Sequence, residues 1–162
     1  MKQLLIMRHA KSDWSSGLAD HERPLNSRGR AAADAVGRHL TATGQAPDHV
    51  ITSSAVRALT TTQRAAAAGG WSGEIQVERD LYSTWPEGAL ETVLTAPDVD
   101  RVMIVGHQPT WSGLVAHLTG ASVAMRTATV VGIDLFITDW SEVVGARGEI
   151  VFVVQPRSLE TP

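Results

Sequence analysis

The chain has 162 residues, 17 acidic and 14 basic side chains, and a formal charge of −3 with its six histidines neutral. That length suits one ordinary domain with a sizeable core, residues 1–162 being read as a single unit, and 43% hydrophobic against 19% charged residues excludes a disordered chain. The apolar runs are too short for a membrane span, only Lys2 and Lys11 accompany the arginines so no basic stripe suits nucleic acid, and the absence of cysteine removes disulfides, thiolate nucleophiles and Cys-held metals.

Residues 2–7 form the first predicted strand, and Arg8 and His9 cut its apolar run too short for a signal peptide, so a cytoplasmic protein is expected. A helix is predicted over 27–43, with Ala32, Val36 and Leu40 at intervals of four, ended by Gly44 and blocked from continuing by Pro47. Further strands are predicted at 49–52, 74–77 and 101–105, rich in Ile, Val and Leu as strands buried on both faces of a parallel sheet are. Between and after them lie helical stretches at 54–68, 88–96 and 110–118. Residues 129–138 and 149–155, with no helical pattern over 139–148, are expected to pair as an antiparallel edge hairpin, and a loose tail is expected from Pro156. Strands alternating with helices indicate an α/β layered fold.

Three of these strands exit into polar segments that carry cations. The first leads into Arg8-His9-Ala10-Lys11, the second into Ser53-Ser54-Ala55-Val56-Arg57, and the fourth into Gly106-His107-Gln108-Pro109. Ligands of open α/β sheets bind beyond the carboxyl ends of the strands, so two arginines and two histidines are expected to share one rim. An arginine fork pairs bidentately with phosphate oxygens, and a helix starting near Ser54 adds backbone donors at its positive end. A neutral histidine whose other ring nitrogen is held can attack phosphorus, and a second can stabilise the transferring group, so neither metal nor cofactor is required.

These segments resemble the histidine phosphatase superfamily, the phosphoglycerate mutase-like group. Arg8-His9-Ala10 is similar to its Arg-His-Gly signature, Ser53-Ser54-Ala55-Val56-Arg57-Ala58-Leu59-Thr60-Thr61 to its Ser-Ser-x-x-Arg-Ala-x-x-Thr segment, and Gly106-His107-Gln108-Pro109 to its second-histidine loop. Residues 8–14, the stretch 20–29 containing Arg23-Pro24-Leu25, and Leu81-Tyr82 resemble the short SixA-type phosphohistidine phosphatase branch. The resemblance runs over roughly residues 2–120 and implies a three-layer α/β/α sandwich with a mostly parallel sheet and an antiparallel edge strand. It also implies His9 as the phosphorylated nucleophile, Arg8 and Arg57 as phosphate clamps, and His107 as partner histidine. Arg23, Lys11, Ser12 and Gln108 are expected to line the substrate pocket.

Two departures bear on chemistry. Ala10 stands where glycine is commoner, which narrows backbone freedom there. The insertion that carries the mutase-type glutamate acid has no convincing counterpart, and Glu87 is the nearest candidate, with Asp13 and Glu22 behind it. An alkoxide leaving group needs such an acid, whereas imidazole, with a pKa near ~6.5, leaves more readily without one. Phosphohistidine in a protein is therefore the expected substrate. A small phosphomonoesterase acting on sugar phosphates and a non-catalytic phosphohistidine-binding or phosphate-binding module are the alternatives.

The plain readings differ by residue. Arg23 could simply pair with Asp20 or Glu22 at the surface, and Trp14 and Trp85 could shape a substrate rim, while Trp71, Trp111 and Trp140 read as packing. His21, His39, His49 and His117 show no metal-ligand spacing. Asp98-Val99-Asp100-Arg101-Val102 mimics the motif of aspartate-nucleophile phosphatases but precedes its strand, which puts both carboxylates at the wrong end of the sheet.

Overall fold

A computed structural model of the chain describes residues 1–159. Its six-stranded sheet has the order β3-β2-β4-β1-β5-β6. Strands β1 (Lys2–Arg8), β2 (His49–Ser53), β3 (Ile75–Glu78) and β4 (Arg101–Gly106) are parallel, while β5 (Val130–Leu135) runs antiparallel to β1 and β6 (Gly148–Val154) antiparallel to β5.

The apolar runs of β1 and β4 bury both faces. Leu4, Ile6, Val102 and Ile104 join one core cluster, and Leu5, Met7, Met103 and Val105 the other, as the two-residue period of a strand demands. The first cluster packs α3 (Pro86–Val93) and α4 (Thr110–Thr119) through Leu90, Val93, Trp111, Leu114 and Leu118. The second packs α1 (Ser27–Ala42) and α2 (Val56–Gly69) through Ala33, Val36, Leu40 and Ala58. Helices thus cover both faces of a mostly parallel sheet, the expected three layers.

Several boundaries shift for local reasons. The second helix starts at Val56 because Ser53 Oγ accepts from Ala55 N at 3.2 Å and holds residues 54–55 in a turn. The third starts at Pro86, whose missing N–H costs nothing in a first turn, and ends at Val93. Strand β3 lies at the sheet edge and is half-exposed, so the expectation that it is buried on both faces fails there. Between β5 and β6 residues Trp140–Gly145 form a 3₁₀ helix. Its start is a capping box of Asp139 and Glu142, a signal present in the sequence as Asp-x-x-Glu. Of the expected tail, residues 156–159 form a 3₁₀ turn whose Leu159 packs against the α1 layer, and residues 160–162 lie outside the described residues. No described helix is long and apolar enough to cross a membrane.

Candidate active site

Strands β1 and β4 are hydrogen-bonded neighbours, with Arg8 in register with Gly106. The helix after β1 packs on one face of the sheet and the helix after β4 on the other, so the chain departs in opposite directions from these two carboxyl ends. That is the switch point at which α/β sheets open a ligand crevice. His9 and His107 face each other across it, ring centroids 5.2 Å apart. Trp111 braces the floor. Its Nε1 donates to Met7 O at 2.9 Å, and a Cβ on Gly106 would stand 2.5 Å from its ring, so only glycine fits at the end of β4.

His9 is 7% exposed, and its Nδ1 donates to Ala10 O at 2.7 Å, which assigns the ring hydrogen to Nδ1 and leaves the Nε2 lone pair free. Burial pushes its pKa down to about 3; the Ala10 hydrogen bond opposes this, and His107, Arg57 and Arg8 add to it. The ring is neutral at pH 7, the state a nucleophile needs. Ala10 itself has no positive φ, so the glycine of the family signature is not required for this backbone.

His107 Nε2 lies 2.8 Å from Ser53 Oγ. Ser53 Oγ also accepts from Ala55 N, and the hydroxyl can either give its own proton to His107 Nε2 or accept one from it through its second lone pair. Burial first, then Arg57, lowers the His107 pKa to about 4, with Asp20 opposing. Its Nδ1 is buried without a partner, as are Arg8 Nε and Arg57 Nε. All three residues line one hollow beside His9, where an oxyanion would meet their side chains.

Asp20 organises the arginines. Arg57 gives Nη1 to Asp20 O at 2.7 Å and Nη2 to Asp20 Oδ2 at 3.1 Å, Arg23 gives Nε and Nη2 to Asp20 Oδ1 at 3.3 and 3.2 Å, and Tyr82 OH donates to Asp20 Oδ2 at 2.5 Å. Chiefly through Tyr82, and then Arg57 and Arg23, the Asp20 pKa falls to about 2. Arg23 is therefore both a surface-pair residue and a pocket residue: it is 7% exposed, donates to Ser12 Oγ, and lies under the Trp14 ring at 3.6 Å.

The cavity of about 270 Å³ at this point is lined by Arg8, His9, Arg23, Arg57, His107 and their neighbours Lys11, Ser12 and Gln108, with no carboxylate among its lining residues. Glu87 is not there. As the second residue of α3 it turns toward His117, its Oε1 lying 3.8 Å from Nδ1, whereas the sequence offers it as the nearest candidate acid. Asp13 accepts from Ser15 and Glu22 from His21, and neither lines the cavity. Trp85, 78% exposed, and Tyr82 line an adjoining apolar cleft beside His107. Sequence reasoning misses Asp20 as a site residue, and it also misses His21, whose Nε2 lies 2.9 Å from Ser54 Oγ and whose ring meets Tyr82 edge-on. Both sit on a 3₁₀ turn, Asp20–Glu22, too short to leave a periodic signal. Among the described residues no group of three or more His, Asp or Glu side chains is gathered as metal ligands.

The sequence pattern of the histidine phosphatase superfamily (branch 1) matches residues 4–82. The chain is 38% identical over 126 residues to an uncharacterized protein of Mycobacterium tuberculosis, a match covering 74% of this chain and 77% of that one. Among solved structures, the SixA-type protein of Nakamurella multipartitia is 29% identical with a TM-score of 0.77, covering 96% of each chain. The protein histidine phosphatase SixA complexed with tungstate has a TM-score of 0.80 at 23% identity, covering 98% of this chain and 99% of that one, and shares the fold.

Proposed function

The chain belongs to the histidine phosphatase superfamily and is a hydrolase of that type, and we propose that it dephosphorylates phosphohistidine in a protein without a metal ion. The observation that carries this reading is the lack of a proton donor for an alkoxide. No carboxylate lines the cavity around His9, and the one beside it, Asp20, is held ionised by Tyr82 and two arginines. A phosphohistidine substrate releases imidazole, which takes its proton from solvent and needs no buried acid.

In this reading His9 Nε2 attacks phosphorus in line. The bond from phosphorus to the substrate imidazole breaks as the bond to Nε2 forms. Arg8, Arg57 and His107, which line the cavity, hold the equatorial oxygens. Water then attacks the phosphorylated His9, giving orthophosphate and the free ring. Lys11, Ser12, Arg23 and Gln108 shape the cavity mouth, and the partner is a histidine-phosphorylated protein of the cytoplasm.

The test is phosphate release, in chelator, from a phosphohistidine peptide and from a panel of phosphomonoesters, with His9→Ala as control. Selective release from the peptide, lost by at least about a thousandfold in His9→Ala, is expected. Preference for a monoester would replace this substrate with a metabolite, and release from neither would turn the protein into a binding module. Rapid quench in alkali and then mass spectrometry of the His9 peptide should find the phosphorylated ring.

A further inference from the structure

Beside the phosphoryl cavity lies a second one of about 480 Å³, and its lining includes Arg8, Lys11, Arg28, Arg126, Arg157 and Thr127. Five of the fourteen basic side chains of a chain with net charge −3 thus converge on one hollow. They come from four separate places: the end of β1, the first turn of α1, the segment before β5 and the 3₁₀ turn after β6. No lining residue is acidic, and among the described residues none of Lys11, Arg28, Arg126 and Arg157 has a carboxylate within 4.0 Å. Like charges around so small a volume repel one another, and an anion between them reverses the sign of that interaction.

The segment that brings Arg126 and Thr127 is held in an unfavourable conformation. Ala128 has a φ of 61°, the one positive φ among described residues other than glycine, and it is fully buried. Its N–H is shared between Arg8 O at 3.1 Å and His9 O at 3.0 Å, and Arg8 Nη1 donates to Met125 O at 3.0 Å. Residues 125–128 are thereby stitched to the backbone of the nucleophile. Arg8, Lys11 and Thr127 also line the phosphoryl cavity, so the two hollows share a wall.

We propose that this second cavity is a substrate subsite that holds an additional oxyanion, carboxylate or phosphate, carried by the same molecule whose phosphoryl group reaches His9. The inference rests on the hydrolase reading above and narrows the substrate to one with two anionic groups a side chain apart. For a phosphohistidine protein, the second anion is an acidic residue flanking the phosphorylated histidine. For a small molecule, it is a second phosphate.

Two matched substrate pairs separate these sources: a phosphohistidine peptide with flanking Asp and Glu against the same peptide with Asn and Gln, and a bisphosphate against the monophosphate of the same skeleton. In one pair, at low ionic strength, the wild type should prefer the member with the additional anion about tenfold in kcat/KM, through KM, and 0.5 M salt, about a 4 Å screening length, should remove the preference. The exposed pair Arg126→Gln and Arg157→Gln, combined, should abolish the preference while leaving the singly anionic member within about twofold. No preference in either pair, or an equal loss for both members, overturns the subsite. A readout free of turnover keeps this distinct from failure of the hydrolase reading. Calorimetry with inorganic phosphate should find two sites per chain in the wild type and one in the double variant, whereas a single site indifferent to these substitutions overturns the subsite. The His9→Ala control judges the hydrolase reading separately.

Discussion

The two ends of strands β1 and β4 can be compared directly, because the same pair of strands carries charge at both. At the amino end, Lys2 Nζ meets Asp98 at 2.8 Å and Asp100 at 4.0 Å and also donates to Val99 O, while Arg101 spends its donors on Gln3 and the carbonyls of Gly44 and Ala46. At the carboxyl end, Arg8 and Arg57 crowd two neutral histidines, His9 buried and His107 half-buried, and three buried side-chain nitrogens have no partner. Satisfied charge at one end and unsatisfied nitrogens at the other distinguish structure from site. A fold stabilised only for its own sake would pair both ends.

The largest effect should come from removing a donor at the carboxyl end. Arg57→Ala takes away a cation that lines the cavity and also strands Asp20, so kcat/KM for phosphohistidine peptide should fall by roughly 10²–10³-fold with the fold retained. Unchanged steady-state kinetics would remove Arg57 from the site. Arg57→Lys should recover little, since a point charge cannot reproduce the fork that reaches Asp20 and substrate together.

The histidines sharpen the comparison through pH. With pKa values lowered to about 3 and about 4, mainly by burial, His9 and His107 should show no titration between pH 5 and 8 in NMR spectra of their ring protons in the ligand-free protein. Stability should respond accordingly. Well above pH 6.5 these rings are neutral in both folded and unfolded states. As pH falls below 6.5 the unfolded chain binds protons that the folded rings refuse, so urea stability should decline, His9 alone contributing about 2 kcal/mol by pH 5. A flat stability profile over that range would contradict the burial of a neutral His9.

How much of this is legible in the sequence depends on how each feature is encoded. Short β-branched and Leu runs define strands β1, β2 and β4, and chain connectivity puts the next few residues at their carboxyl ends, so Arg8, His9, Arg57 and His107 can be placed on one rim from sequence alone. The Asp98–Asp100 pair can be placed at the opposite end by the same argument, and it is there. Features that depend on distant segments meeting are not legible. The basic cavity draws its cations from residues 8, 11, 28, 126 and 157, so the sequence shows no stripe, and overall charge of −3 points the other way. Glu87 is close to the site along the chain, but a helix turns its second residue wherever its axis directs, here toward His117. Asp20 lies on a single 3₁₀ turn, and only its spacing to Arg23 hints at a role.

Asp20→Asn should have a smaller effect than loss of Arg57. The amide keeps one acceptor but loses the charge that draws Arg57, Arg23 and Tyr82 together, so both guanidinium groups gain freedom. An orienting partner of this kind is typically worth about 10–100-fold, and the lower end, near tenfold in kcat/KM, suits a carboxylate that is still half-exposed. Measured steady-state rates equal to wild type would show that Arg57 is held by its packing alone.

The smallest effect belongs to the amino end. Asp98→Asn combined with Asp100→Asn removes both carboxylates beside Lys2, yet each is almost wholly solvent-exposed, at 90% and 95%. Exposed partners contribute at most about 1 kcal/mol, and Lys2 Nζ retains Val99 O at 2.9 Å and the Trp140 ring at 5.8 Å. Stability in urea should therefore change by under about 1 kcal/mol and turnover not at all. The substitution is nevertheless discriminating. An aspartate nucleophile at this Asp-x-Asp sequence would lose all activity, whereas a histidine nucleophile at the far end of the same strands would lose none, because the fold keeps these two carboxylates a full strand length from the phosphoryl cavity.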